Sequence, residues 1–219
     1  MPDEPSGSGP DADPLHERLV GSEPAWSGRL LEARVETRER ADGSLVRREV
    51  VAHPGAVAIL AVDDDRLVLV RQFRAPAGRS LLEIPAGTLD REPGTGATED
   101  PDVAARRELE EETGLRAARW ERLAGFWTAP GFATEFMHLY LATGLEPAGP
   151  DRALPDEDEH LELVRLPLRD AVAAVERGEL TDAKTIVGVL WLARRRGGWA
   201  DATPPRPSRR PTPLAPRRR

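Results

Sequence analysis

The sequence predicts an α/β fold, with helices following a mixed sheet across residues 19–199, and three observations carry that prediction. VAILAV and LVLV flank the turn DDDR and are apolar enough to be hairpin strands buried on both faces. Residues 101–113 carry helix punctuation at both ends. LRDAVAAVERG and DAKTIVGVLWLARRRGG, each stopped by glycine, close the fold as two further helices. Neither a repeat nor an internal linker divides the segment, so one domain is the economical reading.

Residues 1–18 are rich in Pro, Gly, Asp and Ser and read as a flexible leader, with structure beginning near Leu19. The stretch from Ser27 to Phe73 is a succession of strands, broken by the turns ADGS and DDDR. LLEIPAGTLD is a strand running into a Pro/Gly turn, and REPGTGATED is an irregular loop. In the helix that follows, Asp100 is the cap, Pro101 suits the first position, and Gly114 suits the left-handed C-terminal cap. Val103, Ala105 and Leu109 recur at helical spacing as its apolar face. WERLAGFW, FMHLYLA and LELVRLP are further strands, which places His138 in a sheet.

Composition narrows the chemistry. With no cysteine among 219 residues, disulfides, thiolate metal sites and cysteine nucleophiles are excluded. A metal must then be a hard cation on oxygen ligands, or be held by the four histidines. The N-terminus lacks a signal-peptide pattern and no apolar run approaches the roughly 20 residues of a membrane span, so a cytoplasmic protein without a membrane partner is expected. Net charge is −7, yet residues 200–219 are Pro- and Arg-rich and read as a disordered basic tail. That tail is either a contact for a polyanion or a solubilising extension; the acidic remainder argues against nucleic acid as the main partner.

The densest chemistry is RRELEEETGL, residues 106–115. On a helix, Glu108, Glu111 and Glu112 stand at i, i+3 and i+4 and share a face, while Glu110 points away to solvent. Such like charges oppose the helix by a few tenths of a kcal/mol per pair, and their place near its C-terminus sets them against the helix dipole. Local stability gives no reason for the arrangement; a divalent cation does. Mg²⁺ takes one or two carboxylates plus waters and substrate phosphates, which an acidic helix face can supply. A plain solvated acidic face is the alternative.

Arg107 to Leu115, RELEEETGL, resembles the core of the Nudix box at every fixed place, and Glu99 stands at the matching distance before it. The place six residues before Glu99 is Pro93 rather than glycine; anchoring on Gly87 of IPAG instead implies about six extra residues in the intervening loop. The resemblance implies an α/β/α sandwich with the box as loop, helix, loop, and Mg²⁺-dependent hydrolysis (Mn²⁺ being possible) of nucleoside diphosphates linked to another moiety. VRQFR, LEIPAG, TAPGFATE and GELTDAKTIVGVLWL extend the similarity over most of residues 25–196 and resemble the ADP-ribose pyrophosphatase branch. Pro130, 16 places beyond Gly114, matches that branch.

By position, the resemblance implies Glu108, Glu111, Glu112 and the Ala86 carbonyl as metal ligands, with Arg107 orienting the glutamates by ion pairing. Glu99 is either a capping acid or a ligand. Within DEDEHLE, Glu157 is the expected base, with Glu159 as its substitute; His160 is incidental. Arg74, with Arg71 as fallback, should meet substrate phosphate, since guanidinium gives bidentate contacts. Phe132 would pack against base or ribose, unless it is plain core, and Glu135 would take a sugar hydroxyl. The expected reaction yields AMP and ribose 5-phosphate from ADP-ribose in a homodimer whose N-terminal strands exchange. Hydrolysis of GDP-mannose or ADP-glucose, a non-catalytic nucleotide-sugar sensor, and a nucleoside triphosphate hydrolase are the other readings.

Overall fold

Strands β4 (Ala56–Asp63) and β5 (Arg66–Arg74) form the expected hairpin, its turn including Asp64 at φ 55°, a left-handed conformation that a short polar side chain tolerates. The computed structural model describes residues 13–91, 94, 96–149 and 160–197. Beside the turn, β4 and β5 pair directly from Ala61↔Val68 to Asp63↔Arg66. Farther out they diverge, and β6 (Arg79–Glu83) pairs with β5 while β7 (Ala86–Thr88) pairs with β4. LEIPAG therefore does more than turn: after Glu83 the chain crosses through Pro85, whose carbonyl accepts from Ile59 N–H at 2.8 Å, and resumes as a strand.

β8 (Leu115–Trp127), β9 (Phe136–Pro147) and β10 (Glu162–Pro167) complete a seven-stranded mixed sheet with the order β10-β5-β4-β9-β8, in which β4 and β9 are parallel. Alternation along β4 explains the layering. Val57, Ile59 and Ala61 face Ala104, Ala105 and Leu109 of helix α1 (Pro101–Thr113). Ala58, Leu60 and Val62 face the other way, into a cluster with Ala171 and Ala174 of α2 (Leu168–Glu176) and Val189 and Leu192 of α3 (Ala183–Arg195). The result is an α/β/α sandwich, both faces of the central strand being covered as its continuous apolar sequence requires. His138 lies in β9 as expected, its ring edge-on to Phe136 at 5.0 Å.

The helix bounds agree with the sequence, but one apolar position does not. Val103 is 56% exposed, because the buried stripe runs through Ala104, Ala105, Leu109 and the adjoining glutamates. Asp100 caps α1 by accepting from Asp102 N–H at 2.7 Å, and Gly114 ends it at φ 67°. Among the described residues no helix is long and apolar enough to cross a membrane.

A second, three-stranded antiparallel sheet precedes the sandwich: β1 (Arg18–Ser27), β2 (Glu32–Glu39) and β3 (Leu45–Ala52). The sequence does not single out β1, since Gly21 and Pro24 interrupt its alternation; register shifts at Leu19/Gly21 and Pro24/Trp26 absorb them. β3 meets the larger sheet at TAPGFATE, where Val51 N–H donates to the Phe132 carbonyl at 2.7 Å and Thr134 N–H to the Val51 carbonyl at 3.0 Å.

Candidate active site

Helix α1 carries the first half of the site. Glu108 and Glu112 are buried and Glu111 is half-buried, as their i, i+3, i+4 spacing on a helix packed against the sheet dictates. Arg107 gathers the cluster, donating to Glu108 at 2.8 Å, Glu111 at 2.7 Å and Glu99 at 2.8 Å, with a further bond to the Thr88 carbonyl at 3.2 Å. Burial works against the Arg107 charge, but hydrogen bonding to Glu99 and the fields of Glu108 and Glu111 outweigh it and raise its pKa. Glu99 does not cap the helix, a role Asp100 fills; its carboxylate takes Arg107 and the Asp90 N–H. Burial pushes the Glu99 carboxyl up, and the Arg107 hydrogen bond more than reverses this. Glu110 departs from expectation: instead of facing solvent it takes Arg116 in two bonds of 2.6 and 3.0 Å.

Strand β7 supplies the floor. Ala86 N–H donates to Glu112 at 2.9 Å, and a Cβ built on Gly87 would overlap the Glu108 carboxylate. Glycine at 87 is thus a steric requirement of Glu108, and it makes Gly87 the contact between the IPAG segment and the helix. Between β7 and α1, Arg91 bridges Thr98 and Glu99 N–H donates to the Asp90 carbonyl at 2.8 Å, which draws the two ends of the connecting loop together. Among the described residues no three acidic or histidine side chains converge as a finished metal cage. The donor set nevertheless fits a hard divalent cation: three glutamates on one face, two of them buried, beside strand backbone.

Arg74, at the end of β5, is close enough to Glu112 for their charges to interact. Its guanidinium is held in two 2.8 Å bonds by Glu83 of LEIPAG, to which the motif itself assigns no role. Lys184 of α3 binds the same carboxylate. Burial raises the Glu83 pKa, but Arg74 and Lys184 together bring it below the ordinary carboxylate value. Its partners stand 9 and 101 residues away in VRQFR and TDAKT, so the sequence around Glu83 carries no local signal for the pairing.

Arg71 is not brought to this cluster. Three positions from Arg74 on one strand, it faces the opposite side and pairs with Glu162 of β10 at 3.0 Å. Phe132 is 58% exposed, so it is not core. With Trp127, Pro130, Arg34, Glu36, Arg38 and Arg48, it lines a cleft of about 390 Å³ between the small sheet and the β8–β9 loop. Glu135, the last residue of that loop, accepts from the Thr128 hydroxyl and faces His53 Nε2 at 3.7 Å. Burial lowers the His53 pKa, Glu135 offsetting part of the effect, and its Nδ1 accepts from Gly55 N–H at 3.1 Å. Glu157 and Glu159 lie outside the described residues; His160 is exposed.

The chain is similar to several known proteins. A NUDIX domain model matches residues 52–187. The ADP-ribose pyrophosphatase of Bacillus subtilis (strain 168) is 42% identical over 179 residues, covering 81% of this chain and 93% of that protein. A methanol dehydrogenase activator of Bacillus methanolicus is 41% identical over the same length, with the same coverage of each chain. The crystal structure of an ADP compounds hydrolase superposes with a TM-score of 0.70 at 25% identity, covering 85% of this chain and 97% of the other.

Proposed function

Because the chain belongs to the NUDIX domain family, we propose that it is a hydrolase of the pyrophosphate bond of ADP-ribose, releasing AMP and ribose 5-phosphate. The observation that carries the chemistry is the glutamate face of α1 seated on Gly87; similarity to a named ADP-ribose pyrophosphatase supports the choice of substrate.

In the reaction, a water oxygen bonds to one phosphorus and the bridging oxygen leaves with the other phosphate. Glu108, Glu111 and Glu112, with the Ala86 carbonyl, would hold a divalent cation, Mg²⁺ ahead of Mn²⁺. Such an ion supplies charge neutralisation at the phosphates and acidifies a bound water. Arg107 orients Glu108 and Glu111 by the bonds described above. Arg74 contacts a substrate phosphate with donors that Glu83 does not use, while Arg71, paired on the other face of β5, is the weaker candidate. Glu157 takes the proton from the attacking water, with Glu159 as its substitute. Phe132, exposed at the small-sheet cleft, packs on the base or ribose, and Glu135 accepts from a sugar hydroxyl. A homodimer through the small sheet, which exposes Leu19, Val20, Trp26 and Leu45, is part of the same reading.

The test is a panel of ADP-ribose, ADP-glucose, GDP-mannose and NADH, assayed with Mg²⁺ and with Mn²⁺, the products separated by chromatography and the protein weighed in solution at micromolar concentration. ADP-ribose should give the highest kcat/KM and the mass should be that of two chains. Preference for GDP-mannose would overturn the substrate, and a single-chain mass would overturn the dimer.

A further inference from the structure

Glu83 is a buried charge for which the reaction above has no use. It is 1% exposed, at the end of β6 and three residues before Ala86. Burying a carboxylate is costly unless it is paired and hydrogen-bonded, and Glu83 is paired twice, with Arg74 and Lys184. Behind it the network continues into α3. Lys184 also reaches Asp182 at 3.1 Å, and Asp182 caps the helix by accepting from Thr185 N–H at 3.0 Å. The Thr185 hydroxyl donates to Asp182 at 2.6 Å and accepts from Ile84 N–H at 2.9 Å, tying the helix start to the strand exit.

We propose that Glu83 is a positioning residue that sets the Arg74 guanidinium for a substrate phosphate, with Lys184 and Asp182 anchoring Glu83 to α3. The proposal rests on the assignment of Arg74 as a phosphate contact. Arg74 meets Glu83 through Nε and Nη2, which fixes the guanidinium plane and uses two of its five N–H donors. The remaining three are presented in one orientation, so the side chain does not have to be ordered again when a phosphate arrives. Glu83 also restrains Arg74 against the pull of Glu112, whose charge it feels from the neighbouring glutamate face. A guanidinium that swung onto Glu112 would leave the phosphate and occupy a carboxylate assigned to the cation.

The experiment is a double-mutant cycle on the full chain with ADP-ribose and Mg²⁺, combining Glu83→Gln with Arg74→Ala and using melting temperature to check folding. Glu83→Gln should raise KM about tenfold and change kcat by less than about threefold, the scale on which loss of pre-organised contacts acts. In the Arg74→Ala background it should add nothing further, because Glu83 acts through Arg74. The proposal is overturned if Glu83→Gln leaves KM unchanged while Arg74→Ala raises it, or if the two losses add in full. Should Arg74→Ala itself leave KM unchanged, the phosphate contact is wrong and the positioning role falls with it. If Glu83→Gln does not fold, Glu83→Asp keeps the charge that Arg74 and Lys184 need but shortens the reach; it should raise KM about threefold, and an unchanged KM there is equally fatal.

Discussion

Two acidic clusters flank strand β7 and hold their carboxylates in opposite ways. Around Glu83, two cations serve one carboxylate, and α3 supports them from behind. At α1, the Arg107 guanidinium is spread over four carboxylates, Asp90 and Glu99 before the helix and Glu108 and Glu111 on it. The helix glutamates stand out in the sequence by their i, i+3, i+4 spacing, whereas Glu83 has no local partner in the chain to mark it. The difference separates two uses of buried acid. A carboxylate matched by side-chain cations is a structural joint that fixes the groups it touches. Carboxylates gathered by an arginine on the largely buried face of a helix form an oxygen-donor surface suited to a divalent ion.

The sharpest way to break this comparison is to neutralise one acid of the helix cluster. Glu112→Gln keeps the shape of the side chain and an oxygen for the Ala86 N–H, so the melting temperature should change by no more than about 3 °C. The rate of AMP release from ADP-ribose with Mg²⁺ should fall by more than about 100-fold, since even losing an outer partner of a metal site costs 10–100-fold. A wild-type rate would remove the metal assignment.

A smaller effect tests how the helix cluster is built. Gly87 has no special backbone angle; its constraint is the Glu108 carboxylate lying where a Cβ would stand. Gly87→Ala should displace Glu108, a flexible side chain, at little cost to folding, and lower kcat/KM about tenfold through misplacement of the carboxylate. Unchanged kcat/KM would mean that Glu108 does not need its present position.

How much of this was readable beforehand follows from the range of each interaction. The bounds of α1, its caps and its glutamate spacing are local, so a sequence window contains all the information they need. Val103 turns outward although its spacing fits Ala105 and Leu109 loosely, because contact with β4 decides which stripe is buried. Strand β1 was obscured by Gly21 and Pro24, whose irregularity is absorbed by pairing with β2. Glu110 looks like a solvent residue on the helix wheel because its partner, Arg116, lies past the glycine that ends the helix. Glu83 is silent in the sequence for a related reason: Arg74 and Lys184 are 9 and 101 residues away, and they meet it only once β5, β6 and α3 are packed.

The smallest expected effect concerns the matched cluster and is read as stability against pH. Glu83 is held below its ordinary value of 4.5 in the fold, so the unfolded chain binds the proton more readily. Its contribution is therefore complete above about pH 4.5 and is lost as pH falls through the lower folded value. His53 acts in the same direction from a higher starting point. Burial depresses it below 6.5, so the fold favours the neutral ring whose Nδ1 accepts from Gly55, and stability starts to decline as pH drops below that value. Melting temperature should thus fall gently below pH 6.5 and more steeply below 4.5, by about 3 °C for each kcal/mol lost. Glu83→Gln has no carboxyl to protonate at that position; it should melt lower than wild type at pH 7, with the gap narrowing as the pH is taken below 4.5. Parallel curves for the two proteins across that range would show that Glu83 titrates alike in folded and unfolded chains, and would remove the matched pair from the comparison.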